Sequence, residues 1–97
     1  MKLMSVNIDQ ISEGWLERGF SCDIWCDPPG QVWANFVHAT DEVIILLEGE
    51  IELEYSSRCI RPAVGEEVFI PAGTSHTVRN VGSRENRWLY GYRKHQV

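Results

Sequence analysis

Basic residues are scarce in this sequence: Lys and Arg number 9 against 14 Asp and Glu, for a formal net charge of -5. Arg84, Arg87, Arg93 and Lys94 make only a loose scatter near the end. Binding nucleic acid requires a basic footprint that neutralises phosphates, so nucleic acid is not expected as a partner. Long apolar runs are also missing. The longest, VIILL at 43–47, falls far short of the roughly 20 residues that cross a bilayer, and no membrane partner is expected. The opening MKLMSVNIDQ has neither an apolar stretch of signal-peptide length nor a small-residue cleavage site, which makes a cytoplasmic location the expectation. Cys22, Cys26 and Cys59 form no even disulfide set and no C-x-x-C pair. On an extended strand Cys22 and Cys26 would stand roughly 13 Å apart, so all three are expected to be reduced and to pack as small apolar residues. A phosphate-cradling glycine loop is absent, as is a nucleophile in register with a base, which argues against phosphoryl transfer and covalent hydrolysis.

What remains is a chain of 97 residues with 43% apolar and 24% charged residues, the composition of one ordinary globular domain. Ile8, Ile11, Trp15 and Leu16 fall at helical spacing, predicting a helix over about Asn7 to Arg18 with Gly19 as its stop. From Phe20 onward, short runs of β-branched and aromatic residues alternate with turn residues: CDIW, QVWANFVH, EVIILL, IELEY, RCI, EVFI, HTVRN and RWLYGYR. About eight strands in so short a span predict an all-β sandwich or barrel. No linker or repeat interrupts them, so residues 1–97 are read as one domain, with an arm or helix over 1–19 and a β-barrel over 20–97. VIILL is apolar on both faces and needs a cover outside the core, from a helix or a second subunit. Glu50, Glu52 and Glu54 alternate with Ile51, Leu53 and Tyr55, which reads as a solvated strand face.

The segment GEEVFIPAGTSHTVRN at 65–80 sets His76 at the start of a strand, behind a turn shaped by Pro71 and Gly73. His38 and Glu42 flank the short turn ATD and can point into one cavity from adjacent strands. Two imidazoles and one carboxylate are the donor set expected for non-haem Fe(II), and they also accept Mn, Ni, Zn or Cu. The same three groups could instead satisfy one another by hydrogen bonds. By strict alternation Val32, Ala34 and Phe36 share the face of His38, making Ala34 and Phe36 pocket-lining residues. Trp88, Tyr90 and Tyr92 also share a face and are read as core or dimer contact, as are Trp15, Trp25 and Trp33. Asn80 is read as bridging a turn, and Arg79 as pointing to solvent.

The spacing Gly65, Pro71, Gly73, His76, Asn80 resembles the second motif of the cupin superfamily. His38, Glu42 and Gly49 resemble the later part of the first, with Phe36 where that motif usually carries another histidine. The resemblance implies a small antiparallel jelly-roll (double-stranded β-helix) barrel with His38, Glu42 and His76 as ligands of a divalent transition metal (Fe, Mn, Ni or Zn). The expectation is a metal-dependent small cupin that binds a small polar organic ligand, as an oxygenase or isomerase. The alternative is a non-catalytic binding module without metal. A homodimer is expected, formed through a sheet face or an exchanged N-terminal arm.

Overall fold

The computed structural model describes residues 7–94. One helix, α1 (Ile8–Glu17), precedes eight strands: β1 (Asp23–Asp27), β2 (Val32–Phe36), β3 (Glu42–Glu48), β4 (Ile51–Tyr55), β5 (Arg58–Ile60), β6 (Glu67–Ile70), β7 (His76–Asn80) and β8 (Asn86–Tyr92). They form two four-stranded antiparallel sheets, ordered β1-β8-β3-β6 and β2-β7-β4-β5. The expected all-β jelly-roll barrel with a short N-terminal helix is the observed architecture. The first six residues of the expected arm lie outside the described residues.

Asn7 caps α1 by accepting from the Gln10 amide at 3.0 Å. Gly19 ends it with a φ of 89°, a left-handed conformation that glycine adopts without Cβ strain. Between the sheets lies a core of Ile44, Leu46, Ile51, Leu53, Val68, Ile70, Val78 and Trp88. A second cluster of Trp15, Phe20, Val43, Ile45 and Leu89 lies beneath α1 on the outer face of the first sheet. VIILL is therefore covered on both sides, and its outer cover is this chain's own helix. Glu67 fastens the helix by accepting from the Trp15 indole at 3.0 Å and from both terminal guanidinium nitrogens of Arg18 at 2.9 and 2.8 Å.

Glu52 and Glu54 do face outward, but as a charge ladder rather than as isolated carboxylates. Arg79 reaches both and Arg61 reaches Glu52. The cysteines are all free, as expected, yet only Cys22 is partly buried. Cys26 and Cys59 are exposed: Cys26 lies on edge strand β1, on the outer face of the first sheet, and Cys59 lies opposite Glu54 on the solvated face of the second.

At the hairpin between β3 and β4, Gly49 has a φ of 103°. A methyl group there would run into the side-chain amide of Asn86. That amide cannot easily retreat: it is fully buried and clamps Glu50, accepting from its N–H at 2.8 Å and donating to its carbonyl at 2.9 Å. Gly49→Ala is expected to destabilise the fold by about 1–3 kcal/mol, measurable as a lower urea midpoint with unchanged slope.

Candidate metal centre and cavity

Three strand ends bring the chemistry together. His38 follows β2, Glu42 opens β3 and His76 opens β7. The second-motif turn is tied directly to the first: Gly73 N–H donates to the His38 carbonyl at 2.8 Å, and Asp41 accepts from the Ala72 amide at 2.8 Å. Gly73, at a φ of 78°, permits this turn without strain.

The side chains converge. His76 Nε2 lies 3.2 Å and His38 Nε2 3.6 Å from Glu42 Oε1, and one donor atom from each residue falls within 4.8 Å of the others. Glu42 and His76 are buried, while His38 is partly open. His76 Nδ1 meets the Thr74 carbonyl at 3.2 Å. As an N–H donor to that carbonyl it leaves the Nε2 lone pair facing Glu42, a backbone contact of the kind that orients metal-ligating histidines. Glu42 Oε1 is buried without a hydrogen-bond partner, so its short approach to His76 lacks hydrogen-bond alignment. An acceptor atom orphaned between two imidazole nitrogens is costly unless something shares its lone pairs. A divalent cation fits that position, and the three residues could hold one.

Burial pulls the His76 pKa down, but the Glu42 carboxylate and the Thr74 carbonyl outweigh it and leave the pKa above its ordinary value. Tyr92, opposite Glu42 on β8, has its pKa pushed up to about 12 by burial, the Glu42 charge and Tyr90. It remains a neutral phenol, and its hydroxyl meets His38 Nε2 at 3.3 Å.

A cavity of about 170 Å³ opens beside these groups. Phe36 lines it, stacked on the His38 ring at 5.9 Å and 13°. Ala34 does not. It borders a separate surface depression with Val32, Glu54, Thr77 and Arg79. The cause is a register shift between Trp33 and Phe36, where Asn35 takes a φ of 57° and donates its amide to Thr77 Oγ1 at 3.0 Å. This bulge turns Trp33 and Phe36 to the same side, which strict alternation could not anticipate.

Trp25, Trp33, Trp88, Tyr90 and Tyr92 also line the cavity, a role beyond the expected core packing that Trp88 keeps, with Trp33 and Tyr90 packed against the same cluster. The alternation of Trp88, Tyr90 and Tyr92 showed a shared face. The pairing of Tyr92 with Glu42, which turns that face toward the site, depends on strand order. Trp15 keeps its core role. Asn80 bridges turns as expected: its Nδ2 donates to the carbonyls of Asp27, Pro28 and Arg84 at 3.3, 3.0 and 3.0 Å, and its Oδ1 accepts from Gly82 N–H at 2.9 Å.

Solved structures similar to this chain include the protein TT1209 of Thermus thermophilus, at 29% identity and a TM-score of 0.68 over 76% of this chain and 72% of that one. A DMSP lyase, DddQ of Ruegeria pomeroyi, is similar at 25% identity and a TM-score of 0.70, over 78% of this chain but 39% of the lyase. A Cupin 2 conserved barrel domain protein of Salinispora arenicola shares the fold at 21% identity and a TM-score of 0.69, over 78% of this chain and 64% of that one. No curated protein matches the sequence. The cupin domain model (Cupin_2) matches residues 23–92, a span that contains all eight strands and all three converging donors, and the chain belongs to the cupin family.

Proposed function

We propose that this cupin holds a divalent transition metal on His38, Glu42 and His76 and binds a small polar organic ligand in the adjoining aromatic cavity, as a metal-dependent oxygenase or isomerase. The observation that carries the reading is the buried, hydrogen-bond-orphaned Oε1 of Glu42 between two imidazole nitrogens. A bound divalent ion would supply Lewis-acid polarisation of a ligand oxygen. The chain's own contributions are separate: Thr74 fixes the His76 ring, the aromatic walls give the ligand an apolar surface, and Tyr92 offers a hydroxyl proton beside His38. The contact between Tyr92 and His38 favours a second reading, in which the cluster is closed by hydrogen bonds and the cavity serves a non-catalytic binding module.

Metal analysis of protein purified without chelator or affinity-tag nickel distinguishes the two. The metal reading expects about one equivalent of divalent ion per chain, whereas a folded protein that neither carries nor takes up metal supports the hydrogen-bonded cluster. The same reading includes a cytoplasmic homodimer. It is supported by exposed Leu16, Ile24 and Phe69, the last two flanking the helix-covered face of the first sheet. Light scattering that finds only the 11.1 kDa species would remove the dimer. Among the described residues, no helix is long and apolar enough to cross a membrane.

Metal uptake should depend on pH with a definite sign. In the metal-free protein the raised His76 pKa stabilises the fold below the unfolded-state value, and that contribution is lost as pH rises through the folded pKa. Metal competes with the His76 proton, so affinity rises over the same window. The thermal shift produced by zinc is expected to grow from about pH 6 to about pH 8. A shift that shrinks with pH would argue against His76 as a ligand.

A further inference from the structure

The cavity has two chemically different ends. Phe36 and Tyr92 adjoin the histidines, with ring centroids 5.9 and 4.7 Å from His38. Farther along β8, Trp88 stands four residues from Tyr92, roughly 13 Å away at strand rise. There Trp25 meets Trp33 at 74° and Tyr90 at 81°, with centroids 5.5 and 6.3 Å apart, while Trp88 packs on Tyr90 at 5.8 Å and 60°. Rings set nearly at right angles form the walls of a box rather than a flat stack.

Behind this box lies Asp27, 1% exposed. Its Oδ2 accepts from both the Trp33 and the Trp88 indole N–H, at 3.3 and 3.4 Å, and its Oδ1 is buried without any hydrogen-bond partner. A buried carboxyl with an orphaned oxygen is expensive to maintain, and the metal centre has no use for it. An acceptor at the indole N–H draws the proton's positive charge away from the ring edge and makes the ring faces more electron-rich. Among the described residues lining the cavity there is no lysine or arginine. Electron-rich faces, an acid behind them and no competing cationic side chain are the conditions for binding an organic cation.

We propose that the tryptophan end of the cavity is a subsite for a quaternary ammonium group, with Trp25, Trp33, Trp88 and Tyr90 as its walls and Asp27 as the acid that supports it. The ligand is then bipolar, its cationic head in the box and an oxygen donor reaching toward His38, Glu42 and His76. This rests on reading the cavity as a small-molecule site and names the class of molecule it takes.

Calorimetric titration of chelator-treated protein with choline, and with its neutral isostere carrying tert-butyl in place of trimethylammonium, tests the charge directly. Choline is expected to bind at least about fivefold tighter. Trp25→Leu, at a wall position already 38% exposed, should lower that preference by about threefold or more while the protein stays folded. Asp27→Asn keeps an acceptor for the indoles and removes the acid, and should lower it as well. Equal or tighter binding of the neutral isostere, or no saturable choline binding by folded wild-type protein, overturns the proposal. Because these titrations use metal-free protein, failure of the metal reading would appear separately, as absence of zinc uptake in a parallel titration.

Discussion

His76→Ala is expected to lower affinity for zinc by on the order of 100-fold or more, while Asn80→Ala leaves zinc affinity nearly unchanged and lowers stability by about 3 kcal/mol. The two residues stand at opposite ends of β7 and are both buried, so burial alone cannot separate their roles. Their partners can. His76 presents Nε2 to Glu42 and gains only the Thr74 carbonyl from the scaffold. Losing it removes one of three donors and relieves a buried polar cluster. Asn80 makes no contact with the centre; its amide joins the Asp27–Pro28 turn to the loop at Gly82 and Arg84. Nδ2 has two hydrogens for three carbonyls, so one is shared, but truncation still strands several buried polar groups. Zinc competition with a chromophoric chelator and urea unfolding of each variant check the dissociation. Equal zinc affinity in folded His76→Ala and wild type would remove His76 from the ligand set.

That contrast also shows what the sequence made legible. The positions of Gly49, Gly65, Pro71, Gly73 and Asn80 mark turns whose geometry is local, and such turns can be read from residue type. They place His38, Glu42 and His76 at strand ends, and the structure brings the three together. The helix bounds were legible for the same reason, since Asn7 and Gly19 act within one turn of it. Ala34 was misplaced because a bulge at Asn35 depends on an acceptor forty-two residues away, Thr77 Oγ1, and alternation carries no information about that partner. The cavity-lining role of the aromatic residues was not legible, because a shared face does not say which cavity it borders. Trp88 and Tyr92 reach the site only through pairing of β8 with β3. Asp27 left no signal: an acid before two prolines reads as a turn, and its burial between two indoles comes from the packing of β1, β2 and β8.

Phe36 is where the chain departs from the usual first motif, and its position makes the departure testable. It pairs with His76 across β2 and β7, stacks on His38 and has its ring centroid 6.2 Å from that of His76. A donor placed there would face the three already present. Phe36→His is therefore expected to complete a four-donor set and tighten zinc by on the order of 100-fold. Phe36→Ala should retain zinc and widen the cavity. At 39% exposure the ring is far from fully buried, so its removal should cost less than the about 3–5 kcal/mol of a core phenylalanine. The two substitutions act through different terms, a gained ligand and a lost wall, and they should move zinc affinity and stability independently. Competition with a chromophoric chelator gives the first quantity and urea unfolding the second. A folded Phe36→His protein with wild-type zinc affinity would mean that the bulge at Asn35 holds position 36 beside the centre but not aimed at it. The native phenylalanine would then act as a wall between His38 and the tryptophan box rather than as a lost ligand.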